Sequence, residues 1–165
     1  MSKKTTYIIL VIAILGVVGL YFYNKYNVAP TINIAKLDVV DQDTNKYDIA
    51  SLKGKKVIVS FYASWCPGCL EELKTLNAIK NQKLADTEVL AITDESIEKL
   101  VAFKNKTQYP FTFLTITGQF PEIGINSIPV TYLLNTKGEI VYNNVGFIDW
   151  SDDSTLEHLT SLMNE

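Results

Sequence analysis

The chain has 165 residues, 47% of them hydrophobic, with 15 basic and 18 acidic side chains and a formal net charge of −3. Every base is a lysine. An acidic balance without arginine's bidentate fork excludes the basic face that nucleic-acid binding normally needs, so no nucleic-acid partner is expected.

The apolar excess sits at the N-terminus, where residues 7–23 (YIILVIAILGVVGLYFY) contain no charge. Seventeen such residues at about 1.5 Å each make a helix of roughly 26 Å, enough to cross a bilayer core with little tilt. Tyr7 at one end and Tyr21, Phe22, Tyr23 and Tyr26 at the other form aromatic belts, and Lys3 and Lys4 keep the N-terminus inside. A cleaved signal peptide competes with this reading, but the run ends in bulky LYFYNKY with no small-x-small site. A buried core helix is the third alternative. The expectation is a signal anchor over 1–23 in the cytoplasmic membrane, crossing once, a linker over 24–31, and a domain over 32–165 on the outer, periplasmic or extracytoplasmic face. Removing Lys3 and Lys4 with the anchor leaves 13 lysines against 18 acids, a net of −5.

Beyond the linker, INIAKLDVV and the stretch to Asp48 read as a hairpin turning around Asp41 to Asn45. KKVIVSFYAS is apolar on both faces, as a central sheet strand would be. Leu70, Leu73, Leu76 and Ile79 then follow helical spacing, with Pro67 in the first turn. A strand at EVLAIT leads into a helix with Asp94 as N-cap and Ile97, Leu100 and Val101 on its inner face. FTFLT is a further strand, GQFPEIGINS is irregular, and PVTYLL and EIVYNNV form a hairpin across Asn135 to Gly138. A last helix begins near Asp152 and turns Leu156, Leu159 and Met163 inward. Alternating strands and helices closed by a hairpin and helix describe an α/β three-layer sandwich with a central mixed sheet.

The only cysteines are Cys66 and Cys69, in Trp65-Cys66-Pro67-Gly68-Cys69. In a compartment that permits disulfides, two thiols this close pair with each other. An inert bridge is one alternative, but so small a loop restricts the unfolded chain least and stabilises least. Zinc is another, and it lacks ligands: two cysteines and the distant His158 do not make the four that a structural site wants. No metal and no cofactor is expected. Redox chemistry is the leading reading. Cys66 falls where a strand ends and a helix begins, so unpaired N–H groups and the positive end of the helix dipole favour its thiolate. Cys69 lies nearly a turn into the helix. Cys66 is then the attacking nucleophile and Cys69 the group that resolves the mixed disulfide.

Together VIVSFYASWCPGCLEEL, the preceding LKGKK and the later SIPVTYLLNTKGEIV resemble the thioredoxin superfamily, and more closely the membrane-tethered TlpA/ResA-like thiol-disulfide oxidoreductases, over roughly residues 31–165. The resemblance implies a thioredoxin-like fold and Pro129 as a cis-proline against the Cys66–Cys69 disulfide. Trp65, Pro67, Gly68, Ile128 and Pro129 would then contact substrate, with the Ile128 backbone offered to an extended strand. It also implies that Glu72, three residues after Cys69, relays protons to that thiol; a solvated helix glutamate is the alternative. Two departures stand out. Ser60 occupies the place of the buried Asp in cytosolic-type thioredoxins, and Pro67-Gly68 contains no histidine of the kind strongly oxidising relatives carry. The implied activity is exchange with disulfides or dithiols of exported proteins, cytochrome c apoproteins among them, fed by a membrane thiol electron donor. A disulfide-donating oxidase is an alternative direction. A thiol peroxidase would need Thr or Ser where Ala63 stands, and a non-catalytic binding module would not need both cysteines.

Overall fold

The computed structural model describes residues 3–165; the first two residues of the expected 1–23 anchor lie outside that range. Helix α1 (Lys3–Asn27) has no buried residue. It contains an 18-residue window of mean hydropathy 2.3, long and apolar enough to cross a membrane. It runs past Tyr23 because nothing in Asn24 to Asn27 breaks a helix, so the first half of the expected linker is helical. The second half is docked on the domain. Tyr132 donates its hydroxyl hydrogen to the Pro30 carbonyl at 2.7 Å and Ala29 packs against the core, while at the end of α1 the Tyr26 carbonyl accepts from the Ser127 hydroxyl at 2.8 Å.

Among the described residues the six strands are β1 (Val39–Val40), β2 (Lys56–Phe61), β3 (Thr87–Thr93), β4 (Thr112–Ile116), β5 (Val130–Leu134) and β6 (Ile140–Val145). Their order in one sheet is β1-β4-β3-β2-β5-β6. β2, β3 and β4 are parallel, while β1, β5 and β6 run antiparallel to their neighbours. Between the parallel strands lie α2 (Pro67–Lys83) and α3 (Ile97–Thr107), and α4 (Asp153–Leu162) follows β6. Both crossovers step in the same direction along the sheet. Right-handed connections therefore put α2 and α3 on one face.

Strand alternation builds a core on each side of the sheet. Ile58 and Tyr62 face the helices with Leu73, Leu76, Leu100 and Leu159, whereas Val57, Val59 and Phe61 face the other way with Ile34, Phe120 and Ile125. That second layer is made of short 3-10 turns (Ile34–Lys36, Ile49–Leu52 and Phe120–Ile123) rather than long helices. The mixed-sheet, thioredoxin-like α/β architecture expected from the sequence is the one observed.

Three local expectations differ. The hairpin of residues 32–48 shrinks to the two-residue β1 and a single bridge from Val40 to Lys46, because Ile34 to Lys36 turn into a 3-10 helix that buries Ile34. The Asp41 carboxylate still organises the turn, accepting from the Asp43 and Asn45 N–H groups. Ser96, not Asp94, is the N-cap of α3, and Asp94 instead accepts the Phe120 N–H. Leu70 lies on the open side of α2, while Phe103 takes a core place beside Tyr62 with ring centroids 5.0 Å apart. Leu90 sits fully buried at the centre of the parallel strands. Leu90→Ala should therefore cost about 3 kcal/mol of stability, read as a lower urea midpoint; a loss below about 1 kcal/mol would mean that this layer collapses freely around the cavity.

Candidate active site

β2 delivers the chain to the site and α2 begins there. The Tyr62 N–H still bonds the Ile92 carbonyl, after which residues 63–66 leave the sheet. Cys66 is the N-cap of α2 in extended conformation, with Pro67 at the first helical position, where its missing N–H costs nothing. The Cys66 sulfur accepts the Cys69 N–H at 3.2 Å, one of the otherwise unpaired donors of the helix terminus. Cys66 and Cys69 form a disulfide. Of the two, Cys69 is fully buried and Cys66 is 6% exposed, so an incoming sulfur meets Cys66 first.

The Ile128–Pro129 peptide bond is cis. The Ile128 carbonyl stands 3.9 Å from the Cys66 sulfur, and Pro129 lies against Gly68, where its Cδ would be 3.6 Å from an added Cβ. Trp65, Cys66, Pro67 and Ile128 line one groove of about 340 Å³ together with Phe120 and Ile125. Trp65 is 69% exposed at its rim. Four of the residues singled out in the sequence thus line one groove, and Gly68, Cys69 and Pro129 adjoin it through Cys66 and the cis bond.

Glu72 lies beneath, fully buried one helical turn from Cys69. Its Oε1 accepts from the Thr131 hydroxyl at 2.5 Å and the Ser60 hydroxyl at 3.2 Å; its Oε2 accepts the Ile148 N–H at 3.0 Å. Sheet register explains the convergence, because Ser60 and Thr131 are directly opposite on β2 and β5. Burial pushes the Glu72 carboxyl above its ordinary value, and the three donors, Thr131 foremost, pull it part of the way back. The two oxygens are not equivalent. A proton on Oε2 would oppose the Ile148 N–H, which cannot reverse, whereas hydroxyls can both donate and accept, so Oε1 is the oxygen that tolerates a proton.

Thr131 and Ser64 escaped the sequence reading, as did Glu95, whose carboxylate accepts the Ser64 N–H and hydroxyl. A signal for Thr131 existed. Ser60 and Thr131 are each a hydroxyl residue interrupting an otherwise apolar buried strand, VIVSF and VTYLL, where an unpartnered hydroxyl would be costly. Glu95 lies in a polar loop and leaves no such trace.

An acid whose carboxyl is raised in the folded state stabilises while protonated and loses that contribution as pH rises through its raised value. Compared with Glu72→Gln, which keeps an oxygen for Ile148 and an amide for the hydroxyls, the oxidised wild-type protein should lose stability as pH climbs from 4 to 9. Urea unfolding of both across that range checks this; a constant difference would mean a carboxyl with an ordinary affinity for protons.

The Redoxin family model matches residues 26–159. Among curated proteins, the chain is 28% identical over 161 residues to the thioredoxin-like protein YneN of Bacillus subtilis, covering 88% of this chain and 92% of that one. It is 33% identical over 135 residues to the chloroplastic peroxiredoxin Q of Sedum lineare, covering 74% and 73%. It is 24% identical over 150 residues to the thiol-disulfide oxidoreductase ResA of Bacillus cereus, covering 84% and 86%. A solved structure of similar fold is a putative thiol:disulfide interchange protein DsbE from Chlorobium tepidum, with TM-score 0.67 and 17% identity over 82% of this chain and 99% of that one. With a Cys66–Cys69 pair on a thioredoxin-like fold, the chain belongs to the Redoxin family as a thiol-disulfide oxidoreductase.

Proposed function

We propose that the protein is anchored in the cytoplasmic membrane by α1 and reduces disulfides of exported proteins on the outer face, cytochrome c apoproteins being one substrate class. The observation that carries the chemistry is the unequal setting of the two sulfurs: Cys66 at the mouth of the groove with its sulfur on the Cys69 N–H, Cys69 fully buried a turn from Glu72. In the reduced form the Cys66 thiolate attacks one sulfur of a substrate disulfide. That S–S bond breaks, one substrate thiolate leaves and takes up a proton, and Cys66 is left in a mixed disulfide. Cys69 then gives its proton to Glu72 and attacks the Cys66 sulfur; the Cys66–substrate bond breaks, the second substrate sulfur leaves as a thiolate that takes up a proton from water, and Cys66–Cys69 is left oxidised. The Ile128 backbone, beside the cis bond, pairs with the substrate as an added strand.

Electron flow toward substrate follows from what surrounds Cys66. Pro67 offers no N–H, no imidazole lies between the cysteines, and an ionised Glu72 would repel a thiolate. Such a thiolate is only moderately stabilised, so the dithiol gives up electrons more readily than a strong oxidant does. One anchor helix cannot move those electrons across a membrane, which implies a separate membrane-spanning thiol donor that re-reduces the pair. The likeness to peroxiredoxin Q favours peroxide as a second oxidant, but Ala63 stands where that chemistry would want a hydroxyl and is itself fully buried.

Cys69→Ser should accumulate mixed disulfides through Cys66, seen as adducts on non-reducing gels, and Cys66→Ser should not; equal trapping by both would remove the assigned order of attack. In intact cells, a maleimide that does not cross membranes should label Cys66 directly. Labelling that appears only after an impermeant reductant is added would reverse the direction of flow, and labelling only after lysis would place the domain inside.

A further inference from the structure

The loop between β3 and α3 carries two acids that the exchange chemistry leaves unused, and they reach in different directions. The Glu95 side chain, only 7% exposed, accepts from the Ser64 N–H at 2.5 Å and the Ser64 hydroxyl at 3.0 Å, with Lys99 3.2 Å away as its counter-charge. Its backbone is itself held. The Glu95 carbonyl accepts from the Thr115 hydroxyl at 2.8 Å and its N–H donates to the Thr93 hydroxyl at 3.2 Å, so the loop is pinned to the ends of β3 and β4. Asp94 reaches the other way and accepts the Phe120 N–H at 3.1 Å.

The Asp94–Phe120 contact lies in the groove lining, whereas Glu95 holds Ser64 outside it, at the root of the loop that carries Trp65 and Cys66 into the groove. Ser64 is two residues before Cys66, in the stretch that has left the sheet and has no ladder to steady it. Phe120 opens the segment that runs through Ile125 to Ile128 and Pro129, which carries the strand-pairing backbone. The groove lies between, and Asp94 is part of its lining. We infer that Asp94 and Glu95 form a brace that fixes the distance between the attacking sulfur and the strand-pairing wall, and so sets the preference for an extended cysteine-containing peptide over a small disulfide. They act as positioning residues, since neither carboxylate touches the sulfurs.

This rests on the proposed use of the groove by an extended substrate. A peptide disulfide must satisfy two points at once, backbone pairing at Ile128 and sulfur alignment at Cys66, and is therefore sensitive to the spacing. A small disulfide needs only the sulfur. Displacements on the order of 1 Å cost up to about a hundredfold in such aligned reactions.

The test uses the full chain in detergent with its dithiol reduced beforehand, and two substrates, a ten-residue peptide with a disulfide to glutathione and bis(2-hydroxyethyl) disulfide, with the second-order rate constant of single-turnover oxidation measured for each. Glu95→Ala and Asp94→Ala should each lower the peptide-to-small-disulfide ratio about tenfold, a tenth of the full penalty for lost alignment. Glu95→Gln and Asp94→Asn keep an acceptor for Ser64 and Phe120 and should restore the ratio to within about twofold. Because one acid holds the cysteine loop through Ser64 and the other holds the Phe120 segment, a variant that fails to fold at one leaves the other to decide. An unchanged ratio in the alanine variants, including one in which both substrates slow equally, overturns the brace. A wild-type protein that turns over the small disulfide but not the peptide would overturn the extended-substrate reading, and one that turns over neither would overturn dithiol exchange itself.

Discussion

A carboxylate sealed from water, Glu72, is the constraint around which the site is arranged. Removing a carboxylate from water costs several kcal/mol unless donors replace its hydration. Here they come from β2, β5 and the segment after β6 at once, through Ser60, Thr131 and the Ile148 N–H. Three stretches distant in sequence must therefore be in register before the acid is satisfied. The same register sets Val130 opposite Phe61, one residue beyond Pro129 on β5, and so brings the cis-proline to the end of the strand that leads into Cys66.

Around that point the two faces of the sheet divide the work. The helical face carries Cys69, Glu72 and the aromatic cluster of Tyr62, Phe103 and Phe113. The opposite face, roofed by 3-10 turns, is where the chain opens a groove, because short turns bury Phe120 and Ile125 without covering the cysteine loop. Burial also pushes the Tyr132 phenol up to about 12, so its hydroxyl serves as a fixed donor to Pro30.

Much of this was legible in the sequence where one physical rule acts alone. The β2 strand was visible because residues buried on both faces are apolar on both, β5 because the turn from Asn135 to Gly138 marks a hairpin, and α2 because Pro67 and the leucine spacing agree. Helix α3 was seen, yet its cap was misplaced by two residues: Asp94 is a good cap by chemistry, but Phe120, remote in sequence, claims its carboxylate. The first hairpin failed for a related reason, since Ile34 is buried by a turn that alternation does not encode. Cys66, Cys69 and Pro129 announce themselves through spacing and residue type. The partners of Glu72 and Glu95 are set by strand register and loop contact, which local pattern does not carry.

The junction between α1 and the domain shows what a short attachment does to reach. A flexible linker would let a tethered domain wander over roughly 5–6 Å times the square root of its length. Here only Val28 and Ala29 separate the helix end from Pro30, whose Cβ lies 3.2 Å from where a Cβ on Gly124 would be; Gly124 also has φ +86, a conformation glycine adopts without strain. With α1 in a membrane, as proposed, the domain behaves less like a buoy on a line than like a fitting bolted to a post. Its collisions are then those of lateral diffusion, and the partners it meets are sorted by how near the bilayer they hold their cysteines.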